Sequence, residues 1–254
     1  MAIGLARIFG FRYPYNINSP FRATNISDFW QRWHMSLTRF LNGYLYNPIA
    51  VSINRRRMQS GKVIGRKALA TPSGFFVVLA LPTLLTMLAI GVWHGAGLQY
   101  ALFGLVHGCF LCIYQGWRVL SIRTRIEKLA GRLLRPLSIG LTYLCVLAGL
   151  VLFRSESIPA SLHYFAGLLG AHGWYSTELI GTLPLFLLVL YPIVWFLPNT
   201  QEILGESPTL LLERPFLRWL RWKPNYAWAV ATGLLCLLSL FFAGQTQSFL
   251  YFKF

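Results

Sequence analysis

The chain has 254 residues, 56% of them hydrophobic and only 12% charged, about half the roughly 25% charged share of soluble domains. Lys and Arg number 23 against 7 Asp and Glu, a net charge of +16. Such a composition, with long uncharged runs, excludes an ordinary soluble domain. The basic residues lie between the apolar runs, which fits loops on an anionic membrane surface rather than a nucleic-acid face.

In chain order, residues 1–20 contain Arg7, Arg12, Tyr13, Pro14 and Asn16 and lack the continuous apolar core of a cleavable signal peptide. Asp28–Leu41, DFWQRWHMSLTRFL, opens with Asp28 and Gln31 at capping-box spacing. It carries Phe29, Trp33, Leu37 and Phe40 at helical spacing, which predicts one short amphipathic helix lying in the membrane interface. Crossing the hydrocarbon takes about 20 apolar residues. Five runs qualify or come close: Phe75–Trp93, Leu98–Trp117, Leu137–Phe153, Leu179–Leu197 and Ala227–Ala243. A second amphipathic stripe, Val119, Ile122, Ile126, Leu129 and Leu133, falls between the second and third. Ser157–Thr177 is also uncharged but holds His163, His172 and several glycines, so it is expected to be re-entrant or interfacial.

The charges orient these spans. Asn54–Lys67 carries six basic residues and no acid, and Arg118–Arg135 carries six against Glu127, so both belong on the cytoplasmic side. The fifty uncharged residues between them, Ala68–Trp117, must go out and come back. Arg154–Glu178 has one basic residue and two acids and faces outside, while Asn199–Tyr226, with Arg214, Arg218, Arg221 and Lys223, returns inside. The expected fold is all-α: a multi-pass integral membrane protein of about five spans with interfacial amphipathic helices.

The chain has a single Asp, Asp28, and no acid in any expected span. Proton-coupled carriers usually work through intramembrane acids, and this argues against a carrier, one of the non-enzymatic alternatives beside a channel and a partner-docking membrane protein. A Ser-His-Asp triad has no acid to draw on and no GxSxG turn appears. Cys109, Cys112, Cys145 and Cys236 all lie in apolar runs and read as small core residues, with no second ligand pair to make the CxxC of Cys109 and Cys112 a metal site. Five histidines remain. His94 stands in GVWHGAG, residues 91–97, at the bend of the out-and-back pair, where Gly91, Gly95 and Gly97 allow a broken backbone and close approach. An apolar cavity there would keep its ring neutral, as a general base requires. The alternative is a capping or hydrogen-bonded histidine at a helix turn. His107 reads as a polar contact between packed helices, and His34 as an interfacial ring with one wet edge. His163 and His172 read as structural.

Residues 16–49, NINSPFRATNISDFWQRWHMSLTRFLNGYLYNPI, resemble the signature of the membrane-bound O-acyltransferases, closest to the bacterial branch acting on alginate and teichoic acids. LTMLAIGVWHGAGLQYALFGLVHG, residues 85–108, resembles the family's second signature, and the stretches VLFRSESIPASLHYFAGLLG, LPNTQEIL and FLYFKF are similar to alginate-type members. The resemblance runs over residues 1–254 and implies a multi-helix membrane enzyme that moves an acyl group to a hydroxyl, with His94 of the WHG motif as the catalytic histidine and His34 of the RWH motif as the second. It further implies a cytoplasmic thioester donor such as acetyl-CoA with no tightly bound cofactor and no metal. The implied acceptor is an envelope polysaccharide such as alginate, reached directly or through an extracytoplasmic SGNH-like partner, and the implied location is the bacterial inner membrane, with membrane lipids and no nucleic acid as partners. Two features depart from the family pattern. Asn42 and Gly43 stand where an Arg and an Asp are usual. Family members also carry further spans before the segment matching Met1, so residues 1–254 are expected to be the C-terminal portion of one acyltransferase domain.

Overall fold

A computed structural model of the chain describes residues 2–124, 134–171, 173, 182–206 and 215–243. Among these, all regular structure is helical. The chain divides into two compact units, residues 1–181 and 182–254. The first begins with α1 (Ala2–Ile8), an irregular stretch and a 3-10 turn, Pro20–Arg22. Helices α2 (Ile26–Arg32) and α3 (Met35–Leu41) follow, and α3 continues through a π-helical turn, Asn42–Tyr46, into α4 (Asn47–Gln59). After α5 (Arg66–Leu69), α6 (Pro72–Phe75) runs through a second π-helical turn, Phe76–Ala80, into α7 (Leu81–His94). Helices α8 (Leu98–Thr124), α9 (Arg135–Arg154) and α10 (Ile158–Leu168) complete this unit. The second unit holds α11 (Thr182–Phe196), α12 (Thr200–Ile203), a 3-10 turn, Pro215–Leu220, and α13 (Tyr226–Ala243).

Three of the expected spans are long and apolar enough to cross a membrane: Pro72–His94, Leu98–Ser121 and Arg135–Arg154, of 23, 24 and 20 residues. At about 1.5 Å per residue each reaches at least ~30 Å. The fourth and fifth expected spans are apolar helices of shorter described length, Phe186–Phe196 and Tyr226–Phe242. Large apolar side chains such as Leu85, Ile113, Leu141 and Leu144 point outward from the long helices, the pattern of a bundle solvated by lipid. Several hydroxyls on the long helices are satisfied within their own helix. The Thr86 and Thr142 hydroxyls donate to the carbonyls of Pro82 and Ser138, each at 2.7 Å, as the absence of water in hydrocarbon demands.

Lipid offers helices no hydrophobic drive to associate, so close backbone packing has to supply it. Helices α7 and α8 meet where a Cβ on Gly91 would collide with the Tyr100 carbonyl and one on Gly104 with the Met87 carbonyl. On the other side of α8, Gly149 of α9 leaves room for the His107 ring. Helix α2 inserts into this bundle. Ala23, Ile26, Phe29 and Trp30 share one buried core with Met87, Ile90, Phe103, Val146 and Leu152.

The single interfacial helix expected over Asp28–Leu41 is thus two helices, and the first is core. Its cap also sits three residues earlier than expected. The Asn25 side chain accepts from the Asp28 amide at 2.8 Å, while Asp28 takes the Thr24 amide at 2.9 Å and the Arg32 Nε at 2.7 Å. Within the Ser157–Thr177 segment, Ile158–Leu168 forms α10, capped by the Ser157 hydroxyl on the Ala160 amide. His172, FLYFKF and most of the second amphipathic stripe lie outside the described residues.

Candidate active site

The site forms at the end of the bundle where α7 stops, α8 starts and α9 ends. Helix α7 finishes at His94 because Gly95 adopts fully extended backbone (φ 165°). The three glycines of GVWHGAG serve space rather than left-handed geometry. Gly91 admits the α8 backbone, Gly95 makes room for the Tyr100 ring and Gly97 for the Gln99 amide, and none of the three lies in the left-handed region. The resulting tight turn sets the half-buried His94 ring edge-on to Phe153 (centroids 4.9 Å apart) and Phe103 (6.2 Å), with Trp93 at 4.9 Å. The Gln99 amide donates to the Glu156 carbonyl at 3.5 Å, tying the α8 start to the α9 end.

His34 stands at the break between α2 and α3. Its backbone is left-handed (φ 46°, ψ 48°), an uncommon and strained state for a residue with a Cβ. Several bonds hold it there. The Met35 amide donates to the Asn16 carbonyl and the Asn18 amide to the Arg32 carbonyl, both at 2.8 Å, and the Thr38 hydroxyl donates to the Trp30 carbonyl at 3.1 Å. The Asn16 side chain then meets His34 Nδ1 at 3.3 Å. His34 and His94, sixty residues apart in sequence, stand against one apolar core: Trp33, edge-on to His34 at 5.1 Å, and Phe153, edge-on to His94 at 4.9 Å, both pack on it. Burial holds the His34 pKa below the ordinary histidine value.

The other histidines stand elsewhere. His107 is 1% exposed among Trp30, Phe103 and Phe110, with ring centroids at 5.3, 4.6 and 5.9 Å. Its Nδ1 has no hydrogen-bond partner among the described residues. It sits between packed helices, against Gly149, but its contacts there are aromatic rather than the polar one expected. His163 is exposed on α10. Cys112 directs its thiol at the Ala80 carbonyl, and the described residues gather no group of three or more His, Cys, Asp or Glu. Toward the other end of the same helices a cavity of about 700 Å³ is lined by Phe110, Ile113, Tyr114 and Leu141, with Arg118 and Arg135 among its walls. Asn16 and Phe153 were missed in the sequence, although Asn16 opens the conspicuous stretch NINSPFRATNISDFWQRWH.

No protein-family model matches the chain. A probable alginate O-acetylase of Pseudomonas aeruginosa is 34% identical over 199 residues, covering 75% of this chain and 33% of that protein. A peptidoglycan O-acetyltransferase of Helicobacter pylori is 28% identical over 265 residues, covering all of this chain and 45% of that one. A teichoic acid D-alanyltransferase of Bacillus subtilis is 33% identical over 113 residues, 44% of this chain and 25% of that protein. The chain belongs to the membrane-bound O-acyltransferase family. It spans between a quarter and a half of the length of these relatives. In this O-acyltransferase family member Asn42 and Gly43 begin the π-helical turn that packs on α7, and a Cβ on Gly43 would meet nothing within 4 Å.

Proposed function

We propose that this protein is an O-acyltransferase that moves an acetyl or similar acyl group from a cytoplasmic thioester to a hydroxyl of an envelope polymer such as alginate, directly or through an extracytoplasmic partner, as a multi-pass protein of the bacterial inner membrane. The observation that carries the reading is that His34 and His94, from segments sixty residues apart, flank one apolar core through Trp33 and Phe153. An alcohol has a pKa far above 7 and needs a base within hydrogen-bond reach before it attacks. His94 fills that role: it takes the hydroxyl proton as the oxygen attacks the acyl carbon, and it returns the proton to the departing thiolate. The thioester carbonyl becomes an oxyanion between these events and needs a donor, which His34 supplies. A thioester is already activated, so no carboxylate is required. The cavity beside Arg118 and Arg135 lies at the end flanked by basic loops and suits a donor with an anionic head and a long thin arm.

The test is acyl transfer from radiolabelled acetyl-CoA to an alginate oligosaccharide in vesicles carrying the chain and its His94→Ala variant. Transfer by the wild-type chain and a loss of roughly hundredfold or more in the variant are expected. Undiminished transfer by His94→Ala overturns its role, and transfer to no envelope glycan overturns the function.

A further inference from the structure

We infer that Asn16 is a positioning residue that fixes His34 as the Nε2–H tautomer, making it the hydrogen-bond donor of the site and leaving His94 as its base. This rests on the acyl-transfer reading above for the role, though not for the tautomer. The argument begins at Ser36. Its backbone amide and its hydroxyl both point at Asn16 Oδ1, at 3.2 and 2.7 Å. A backbone N–H can only donate, so the atom facing it is the carboxamide oxygen and the orientation of the Asn16 amide is settled. The nitrogen end therefore faces His34 Nδ1 at 3.3 Å. A carboxamide NH2 has no acceptor capacity, so Nδ1 must present its lone pair. In a neutral ring the proton then sits on Nε2.

The consequence is a division of labour. With its one lone pair occupied by Asn16, His34 has none left to take a proton from a hydroxyl. It has an N–H to offer a carbonyl oxygen that is gaining charge. The Asn16 backbone carbonyl meanwhile receives the Met35 amide at 2.8 Å, so one residue both holds the left-handed backbone of His34 and sets its ring proton. Asn16 acts through His34 and touches no reacting atom in this scheme.

The test combines a spectroscopic reading with a pH profile on the full chain. In protein labelled with 15N-histidine and placed in detergent micelles, with His34 signals assigned by their loss in His34→Gln, Nδ1 is expected unprotonated and Nε2 protonated. Asn16→Asp keeps the two Ser36 bonds and faces Nδ1 with a carboxylate, which pulls the proton to Nδ1. The neutral ring then loses its Nε2–H, and only the imidazolium still donates. Transfer by Asn16→Asp should therefore fall by about tenfold or more as pH rises from 6 to 9, a limb absent in wild type, while Asn16→Ala should be slower by a similar factor at every pH. A protonated Nδ1 in the wild-type spectrum overturns the assignment, as does an Asn16→Asp profile parallel to wild type. Failure of wild-type transfer with the expected spectrum would instead overturn the acyl-transfer role and leave the tautomer standing.

Discussion

His34 and His94 are secured by different means, and the difference bears on how the site should respond to pH. His94 is held by packing against Phe103 and Phe153. His34 is held by hydrogen bonds around a strained backbone, and burial keeps its pKa below the ordinary value of 6.5. A histidine whose folded pKa is depressed binds fewer protons folded than unfolded in the window between the two values. Its contribution to stability is therefore intact above about pH 6.5 and is lost as pH falls toward the folded pKa. The chain in detergent is expected to melt at a lower temperature at pH 5.5 than at 7.5, with a smaller difference in His34→Gln. An equal acid loss in that variant would show that His34 is not the proton acceptor concerned. The left-handed backbone could not be read from its own sequence neighbourhood. DFWQRWHMSLTRFL carries an unbroken amphipathic stripe, and the break is imposed by Asn16, eighteen residues earlier, through bonds that leave no local periodicity.

At the scale of elements, the glycines divide into those that permit contact and those that do not. Gly91 faces the α8 backbone itself, which cannot swing aside as a side chain could. Gly91→Ala should force α7 and α8 apart at the point where Phe103 supports His94, costing about 1–3 kcal/mol as overpacking and reducing transfer with it. Gly43 lies in the π-helical turn with open space around it, and its conformation is not left-handed. Gly43→Ala should stabilise by about 0.4–1 kcal/mol through the unfolded chain. Thermal unfolding of the pair, with opposite signs expected, separates contact from flexibility; a neutral Gly91→Ala would mean the helices do not pack as closely as described. The long helices themselves were legible from composition, since Phe75–Trp93, Leu98–Trp117 and Leu137–Phe153 fall within a few residues of Pro72–His94, Leu98–Ser121 and Arg135–Arg154. Their close approach was only half legible. The glycines pointed to both a broken backbone and close approach, and the structure uses the second, their missing Cβ, while which group would approach could not be read from the sequence. The capping box of Asn199 and Glu202, with Glu202 buried, passed unread in LPNTQEIL for a related reason: a four-residue helix has no periodicity to announce it.

At the scale of the whole molecule, charge and site lie at opposite ends of one bundle. Arg66 and Lys67 immediately precede the first long helix, and Arg118 and Arg135 stand where α8 nears its end and α9 begins, all exposed. His94 and the Gly95–Gly97 turn stand at the far end, tied to Glu156 through Gln99. If the basic end faces the cytoplasm, as arginine- and lysine-rich loops do, then Ser60 and Glu156 must lie on opposite sides of the membrane and the two histidines must open toward the outer side. Single cysteines at these exposed positions, introduced after replacing Cys109, Cys112, Cys145 and Cys236, test this with an impermeant maleimide. Ser60→Cys is expected to label only in inside-out vesicles and Glu156→Cys only in right-side-out ones. Labelling of both from one side would remove the crossing hairpin, and labelling in the reverse sense would invert it. The expected pattern would place His94 roughly 30 Å from the basic end, the span that the long arm of the proposed thioester donor would have to cross.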